Sequence, residues 1–159
     1  MTVDLSHPQI RNVTDRLRAL GARGQVRVLP NSARTAAAAA AGLGCEVGAI
    51  ANSLLFDADG SPVLILTSGA HRVDIELVAR ALGVVRLGRA DPDFVRTHTG
   101  QPIGGVSPVG HPARVPTYLD RALAVYDVIW ASAGHPHAVF STSYTELRAL
   151  TDATPIAVS

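Results

Sequence analysis

Seven consecutive residues, Gly104-Gly105-Val106-Ser107-Pro108-Val109-Gly110, have the makings of a backbone cradle for negative charge. Paired glycines let a main chain approach a ligand closely, and successive N–H groups in such a loop form an anion-binding nest. Acyl transfer needs donors of this kind, because charge develops on the carbonyl oxygen. By spacing alone the same residues also describe a purely structural, turn-rich loop. The phosphate-binding patterns G-x-x-x-x-G-K-[ST] and G-x-G-x-x-G are absent from it. All fourteen basic residues of the chain are arginines. The lack of lysine removes Walker-type ATPase chemistry and every mechanism that uses a lysine amine.

Other reactive side chains give weaker patterns. His98 and His111 flank the glycine loop, and His135-Pro136-His137 lies near the end of the chain. Imidazole is a common metal ligand. The companions of a zinc site, H-E-x-x-H or paired cysteines, are missing, so no metal is expected and most of these histidines read as solvent-facing turn residues. Ser107 is followed by proline and does not form the G-x-S-x-G elbow of a serine hydrolase. Cys45, the one cysteine, follows Gly44 at a helix end and reads as a small buried residue. A lone cysteine excludes an internal disulfide and suits a reducing cytoplasm.

The frame that must position these residues is legible in outline. A chain of 159 residues with 47% hydrophobic and 17% charged residues can bury one substantial core, and the whole of 1–159 is expected to be a single domain. A net charge of +1 argues against a broad nucleic-acid footprint and leaves room for contact with a strand end. Met1-Thr2-Val3-Asp4-Leu5 has no basic region followed by an apolar run, so no secretory signal is expected. No apolar stretch approaches the roughly 20 residues needed to span a bilayer, so no membrane partner is expected.

Periodicity and punctuation predict helices over 6–21, 35–43, 73–82, 92–97 and 143–150. Ser6 with Gln9, and Ser143 with Glu146, fit capping boxes. Ile10, Val13, Leu17 and Leu20 share one face of the first helix, and Gly21 stops it. Six alanines, Ala36 to Ala41, fit a helix packed close to a sheet. Strands are expected over 26–29, 84–87, 115–119, 125–132, 138–140 and 155–158. Segments 49–56 and 62–67 read as a hairpin around Asp57-Ala58-Asp59-Gly60. The glycine and proline density of 98–116 predicts a long irregular loop, a length often tied to function. Strands and helices interspersed without strict alternation favour a mixed α/β domain over a doubly wound sheet.

Taken in order, several segments resemble the YbaK and prolyl-tRNA-synthetase-associated editing domains. They are Arg34-Thr35-Ala36, residues 48–56 (GAIANSLLF), 68–74 (SGAHRVD), 99–110 (TGQPIGGVSPVG), Tyr118-Leu119-Asp120, Ala131-Ser132-Ala133-Gly134 and 146–151 (ELRALT). The ordered set covers roughly residues 30–155. The resemblance implies a curved, barrel-like, mostly antiparallel sheet surrounded by helices. It implies metal-free hydrolysis, without a cofactor, of the ester joining a mischarged small amino acid to the 3′ end of a tRNA, such as proline tRNA. An aminoacyl-tRNA synthetase is an implied partner, and the cytoplasm the implied compartment. The family loop, here Gly104, Gly105, Val106, Ser107 and Pro108, is expected to hold the aminoacyl group with backbone amides. Thr35, Ser53, Ser68, Gly69, His71, Arg72, Asp120, His135 and His137 are the implied substrate-binding residues.

One position departs from the family pattern. Where apolar-x-Lys-[ST]-Leu is usual, this chain has Ile50-Ala51-Asn52-Ser53-Leu54. Asparagine offers two donors and one acceptor but no charge. Arg72 and Arg34 are the arginines considered as replacements. Strand alternation puts Asn52 and Ser53 on opposite faces, and the resemblance selects Asn52 as the residue facing the loop. Three readings follow, in this order: an active deacylase using the loop amides, Asn52 and the ribose hydroxyl; a silent relative that binds an aminoacyl or nucleotide group; and a module that works through a protein partner.

Overall fold

The computed structural model describes residues 5–30 and 35–159. At its centre is the expected hairpin. Strands β2 (Ile50–Ala58) and β3 (Ser61–Ser68) pair antiparallel from Ala51↔Ser68 to Ala58↔Ser61. The strands run further than predicted, and the turn shrinks to Asp59 and Gly60. Both have positive φ, 51° and 92°, which matches the right-handed twist of the flanking strands. The Asp59 carboxylate accepts from the N–H groups of Val85 and Arg86, and these bonds hold its pKa below the ordinary value.

Around the hairpin lie β1 (Val26–Val28), β4 (Leu87–Arg89), β5 (Thr117–Asp120), β6 (Ile129–Ser132), β7 (Ala138–Thr142) and β8 (Thr154–Ile156). The sheet order is β1-β7-β6-β2-β3-β5-β8, with β4 paired to β2 off this path. Four pairings are antiparallel, and three (β2 with β6, β3 with β5, β5 with β8) are parallel. Five helices complete the mixed α/β fold among the described residues: α1 (Pro8–Ala19), α2 (Ala36–Leu43), α3 (Ile75–Leu82), α4 (Pro92–Thr99) and α5 (Tyr144–Thr151).

The period-two alternation of β2 and β3 divides the core. Ala51, Leu55, Leu64 and Leu66 pack on one side with α1, Val95 of α4 and Val106 and Val109 of the glycine loop. Phe56, Val63 and Ile65 face α3, while Ile50 faces the alanine helix α2. Alanine suits α2 because Ala39 and Ala40 lie directly against Ile50, Leu29 and Val139. Among the described residues, no helix is long and apolar enough to cross a membrane.

Several local expectations need correction. His7, not Ser6, caps α1, its Nδ1 accepting from the Gln9 N–H. Leu20 is exposed rather than part of the buried stripe, because α1 has already ended and turns at Gly21. Ser143 does cap α5, but the Glu146 carboxylate turns to Thr142 and the Arg23 N–H instead of closing the box. Strand β4 begins at Leu87, three residues later than predicted, because Val84 and Val85 are drawn into the turn after Gly83 and Val85 is left exposed. Residues 121–125 form a 3-10 helix capped by Asp120, so β6 starts only at Ile129.

Candidate functional site

Strand β2 is covered unevenly. On one edge β3 runs beside it throughout. On the other, β6 covers Ile50 and Ala51, and β4 covers Phe56 to Ala58. Among the described residues, 52–55 have no strand neighbour on that edge. A cavity of about 330 Å³ opens there, lined by Asn52, Ser53, Leu54 and Leu55 and by the ends of β4 and β6. Gly104, Val106 and Pro136 close one side; Thr35, Ala36 and Ala39 of the α2 region, with Trp130, close another. The size lies at the lower end of the range of small-molecule sites.

Asn52 and Ser53 both line the cavity from opposite faces of the sheet. Asn52 shares a face with Ile50 and Leu54, and its amide has no hydrogen-bond partner among the described residues. Ser53 shares a face with Ala51, Leu55 and the core that includes Val106. Its Oγ is closed off from solvent and likewise unpartnered. Thr35 caps α2 through its Oγ, which accepts from the Ala38 N–H, at the cavity wall.

The glycine loop divides its amides. The Gly105 N–H is spent on the Pro102 carbonyl at 2.9 Å, and the Ser107 N–H on the Gln101 side chain. Pro108 has no N–H and lines a separate surface groove with His111 and Arg114. The N–H groups of Gly104 and Val106 have no partner among the described residues, and these are the two residues of 104–108 that line the cavity. Gly105 itself is required by packing: a Cβ there would sit 2.7 Å from Pro136 Cδ and 3.0 Å from its backbone nitrogen. His111 anchors the far end of the loop through Nε2 and the Ser107 carbonyl, 2.7 Å away. Burial lowers the His111 pKa, and this hydrogen bond offsets part of the shift.

The other predicted residues form two clusters outside the cavity lining. Asp120 is buried, 2% exposed, and accepts from the Ser68 and Ala122 N–H groups, the Thr67 hydroxyl and His71 Nδ1. Ser68 in turn donates to the Gly48 carbonyl, and the Gly69 N–H to Ile50. This cluster knits the ends of β3 and β5 together. Arg72 stands exposed beside it, and Arg34 lies outside the described residues. At the second cluster, His135 packs edge-on to His7 (4.8 Å) and lies 5.5 Å from His137. Only Pro136 between them lines the cavity. Burial, then the neighbouring His7 and His137, lowers the His135 pKa. His98, His111, His135 and His137 are all half-buried, so the reading of turn histidines facing solvent is corrected. Among the described residues, no group of three or more His, Cys, Asp or Glu is placed to hold a metal ion.

Arg89 and Trp130 were not anticipated. Arg89 is the one cationic residue lining the cavity among the described residues. It was hidden by the misplaced β4 boundary, which left it in a connection. Trp130, the chain's single tryptophan, has the Arg27 guanidinium 5.6 Å from its ring centroid.

Comparison with known proteins gives one consistent result. Residues 30–150 match the family model described as the aminoacyl-tRNA editing domain. A solved structure of a candidate trans-editing enzyme for prolyl tRNA synthetase superposes with a TM-score of 0.91, at 41% identity over 96% of this chain and 97% of that one. The proline–tRNA ligase of Solidesulfovibrio magneticus is 33% identical over 129 residues, covering 73% of this chain. The match spans 22% of that ligase's length, so only a part of the larger enzyme corresponds. EbsC of Enterococcus faecalis, a candidate Cys-tRNA(Pro)/Cys-tRNA(Cys) deacylase, is 31% identical over 63% of this chain and 62% of its own.

Proposed function

Because the chain belongs to the aminoacyl-tRNA editing domain family, we propose that it is a trans-acting deacylase that hydrolyses a mischarged tRNA carrying a small amino acid, with proline tRNA as the leading candidate. Residues 1–159 act as one editing unit, and a prolyl-tRNA synthetase is the natural partner to supply the charged tRNA. The observation that carries this reading is that Gly104 and Val106, whose N–H groups are unspent among the described residues, line the same cavity as Asn52.

The chemistry is ester hydrolysis. Water adds its oxygen to the acyl carbon, and the carbonyl oxygen takes up negative charge. The bond to the ribose oxygen then breaks, and that oxygen leaves with a proton, giving free amino acid and tRNA. The Gly104 and Val106 amides suit the developing charge, and fixed donors of this sort need no reorganisation as it forms. The Asn52 amide orients the ester or the adjacent ribose hydroxyl. Arg89, exposed at the cavity mouth, offers its positive charge to a tRNA phosphate and does not take the place of the family lysine's ammonium. Thr35 lies at the wall. Ser68, Gly69, His71 and Asp120 support β3 and β5 behind the site, with Arg72 exposed beside them, while His135 and His137 hold the turn against which the glycine loop rests.

A second reading is favoured by Asn52 itself: a site without the ammonium binds an aminoacyl-nucleotide and does not turn it over. Single-turnover release of amino acid from Ala-, Ser- and Cys-charged proline tRNA separates the two. The deacylase reading expects release well above the spontaneous rate. Asn52→Ala and Gly105→Ala should each slow it, by ~100- to 1,000-fold where an oxyanion donor is lost or displaced. No release from any charged tRNA, with continued binding of a non-hydrolysable aminoacyl-adenosine, selects the binding reading.

A further inference from the structure

Among the described residues, the uncovered stretch of β2 is a sheet edge without a partner strand. The Gly69 N–H donates to the Ile50 carbonyl at 2.7 Å, so the Ile50 peptide faces β3. Alternation turns the main-chain groups of Asn52 and Leu54 the same way, and those of Ser53 and Leu55 toward the gap between β6 and β4. The cavity fills that gap, bounded by Ser132 at the end of β6 and by Arg89 and Ala90 at the end of β4. Ser53 lines the cavity, while its Oγ is itself shut off from solvent. Backbone N–H and C=O groups in proteins nearly always have partners, so unpaired peptide groups bordering a cavity point to a ligand.

We infer that Ser53 is a one-residue strand-addition site for the α-amino-acid unit of the substrate. The inference rests on the deacylase reading for the identity of that substrate. An extended aminoacyl group presents a donor, the α-ammonium, and an acceptor, the acyl oxygen, at the spacing of one strand residue. Set opposite Ser53, the ammonium donates to the Ser53 carbonyl while the Ser53 N–H donates to the acyl oxygen. This is the two-way exchange of a hydrogen-bonded antiparallel pair. Directly paired residues project side chains to the same face, so the substrate side chain enters the space bounded by Val106, Ala131 and Ala138, which admits small groups. As the acyl carbon becomes tetrahedral its oxygen gains charge, and the Ser53 N–H then donates more strongly than in the ground state.

The test compares ligands with and without the amine. Calorimetry measures binding of the non-hydrolysable 3′-amide of alanyl-adenosine and of its propionyl counterpart. Single-turnover assays measure alanyl- and propionyl-tRNA hydrolysis, each relative to its spontaneous rate. Wild type should favour the alanyl ligand by ~10- to 100-fold, the worth of charge-assisted hydrogen bonds to the ammonium. Ser53→Pro removes an N–H that has no strand partner, so it should slow hydrolysis by ~100-fold with little change in melting temperature. If Ser53→Pro does not fold, the wild-type ligand comparison still decides. Hydrolysis of alanyl-tRNA with equal use of the propionyl ligands overturns the inference and leaves the deacylase reading intact. Amine-selective binding without hydrolysis does the reverse, and absence of both binding and hydrolysis overturns both.

Discussion

Arg89 carries a planar guanidinium whose geometry matches a phosphate. It is exposed where β4 meets the uncovered stretch of β2, at the mouth of the cavity. On the deacylase reading, a terminal phosphodiester of the tRNA is the anion closest to a bound aminoacyl end. Arg89→Ala should therefore raise KM for charged tRNA and lower the salt slope of binding by about one, while leaving aminoacyl-adenosine binding unchanged. An equal loss with aminoacyl-adenosine, concentrated in kcat, would instead assign Arg89 to the acyl oxygen. At this scale the sequence discloses residue types well and hydrogen-bond spending badly. Asn52 stood out because one position broke a family pattern. Which amides of 104–108 remain free depends on Gln101 and Pro102 folding back onto the loop, and no spacing rule encodes that.

Elements were legible where local chemistry decides them. The Asp59-Gly60 turn, the Ser143 cap and the alanine helix all form within a residue or two of expectation, and Asp74 and Asp91 cap α3 and α4. Strand β4 and the start of β6 were misplaced because distant contacts set them: β4 is fixed by β2 and by the Asp59 carboxylate. The uncovered stretch of β2 was illegible for the same reason, since it is defined by where two other strands stop. Asp120 holds a comparable long-range junction, tying β3, β5 and the 3-10 helix after it. Asp120→Ala leaves up to four donors without their acceptor. It should cost about 3 kcal/mol or more of stability in urea unfolding, with the loss shared by wild-type-like cavity variants. A change below about 1 kcal/mol would show that water satisfies these donors.

For the molecule as a whole, acidity acts through the histidines. His111 and His135 both have pKa values held below the ordinary imidazole value, chiefly by burial. The unfolded chain protonates near pH 6.5, before the folded one does, so in that window it binds more protons. Their contribution to stability is thus complete above about pH 7 and is lost as pH falls through 6.5 toward the lower folded values. Melting temperature should drop between pH 7.5 and 5.5, and His111→Gln, whose amide can still donate to the Ser107 carbonyl, should lessen the drop. An unchanged pH profile in that variant would assign the effect elsewhere.

The pairing pattern also fixes when the cavity comes into being. The lining is drawn from residues as far apart as 35–56 and 130–139, and β1 reaches β7 across more than a hundred residues. Contacts that close such long loops form late and slowly. The β2–β3 hairpin is local and needs none of them, so it can assemble on a nascent chain well before β6 and β7 emerge. The cleft is therefore complete only once residues 130–139 have joined residues 35–56.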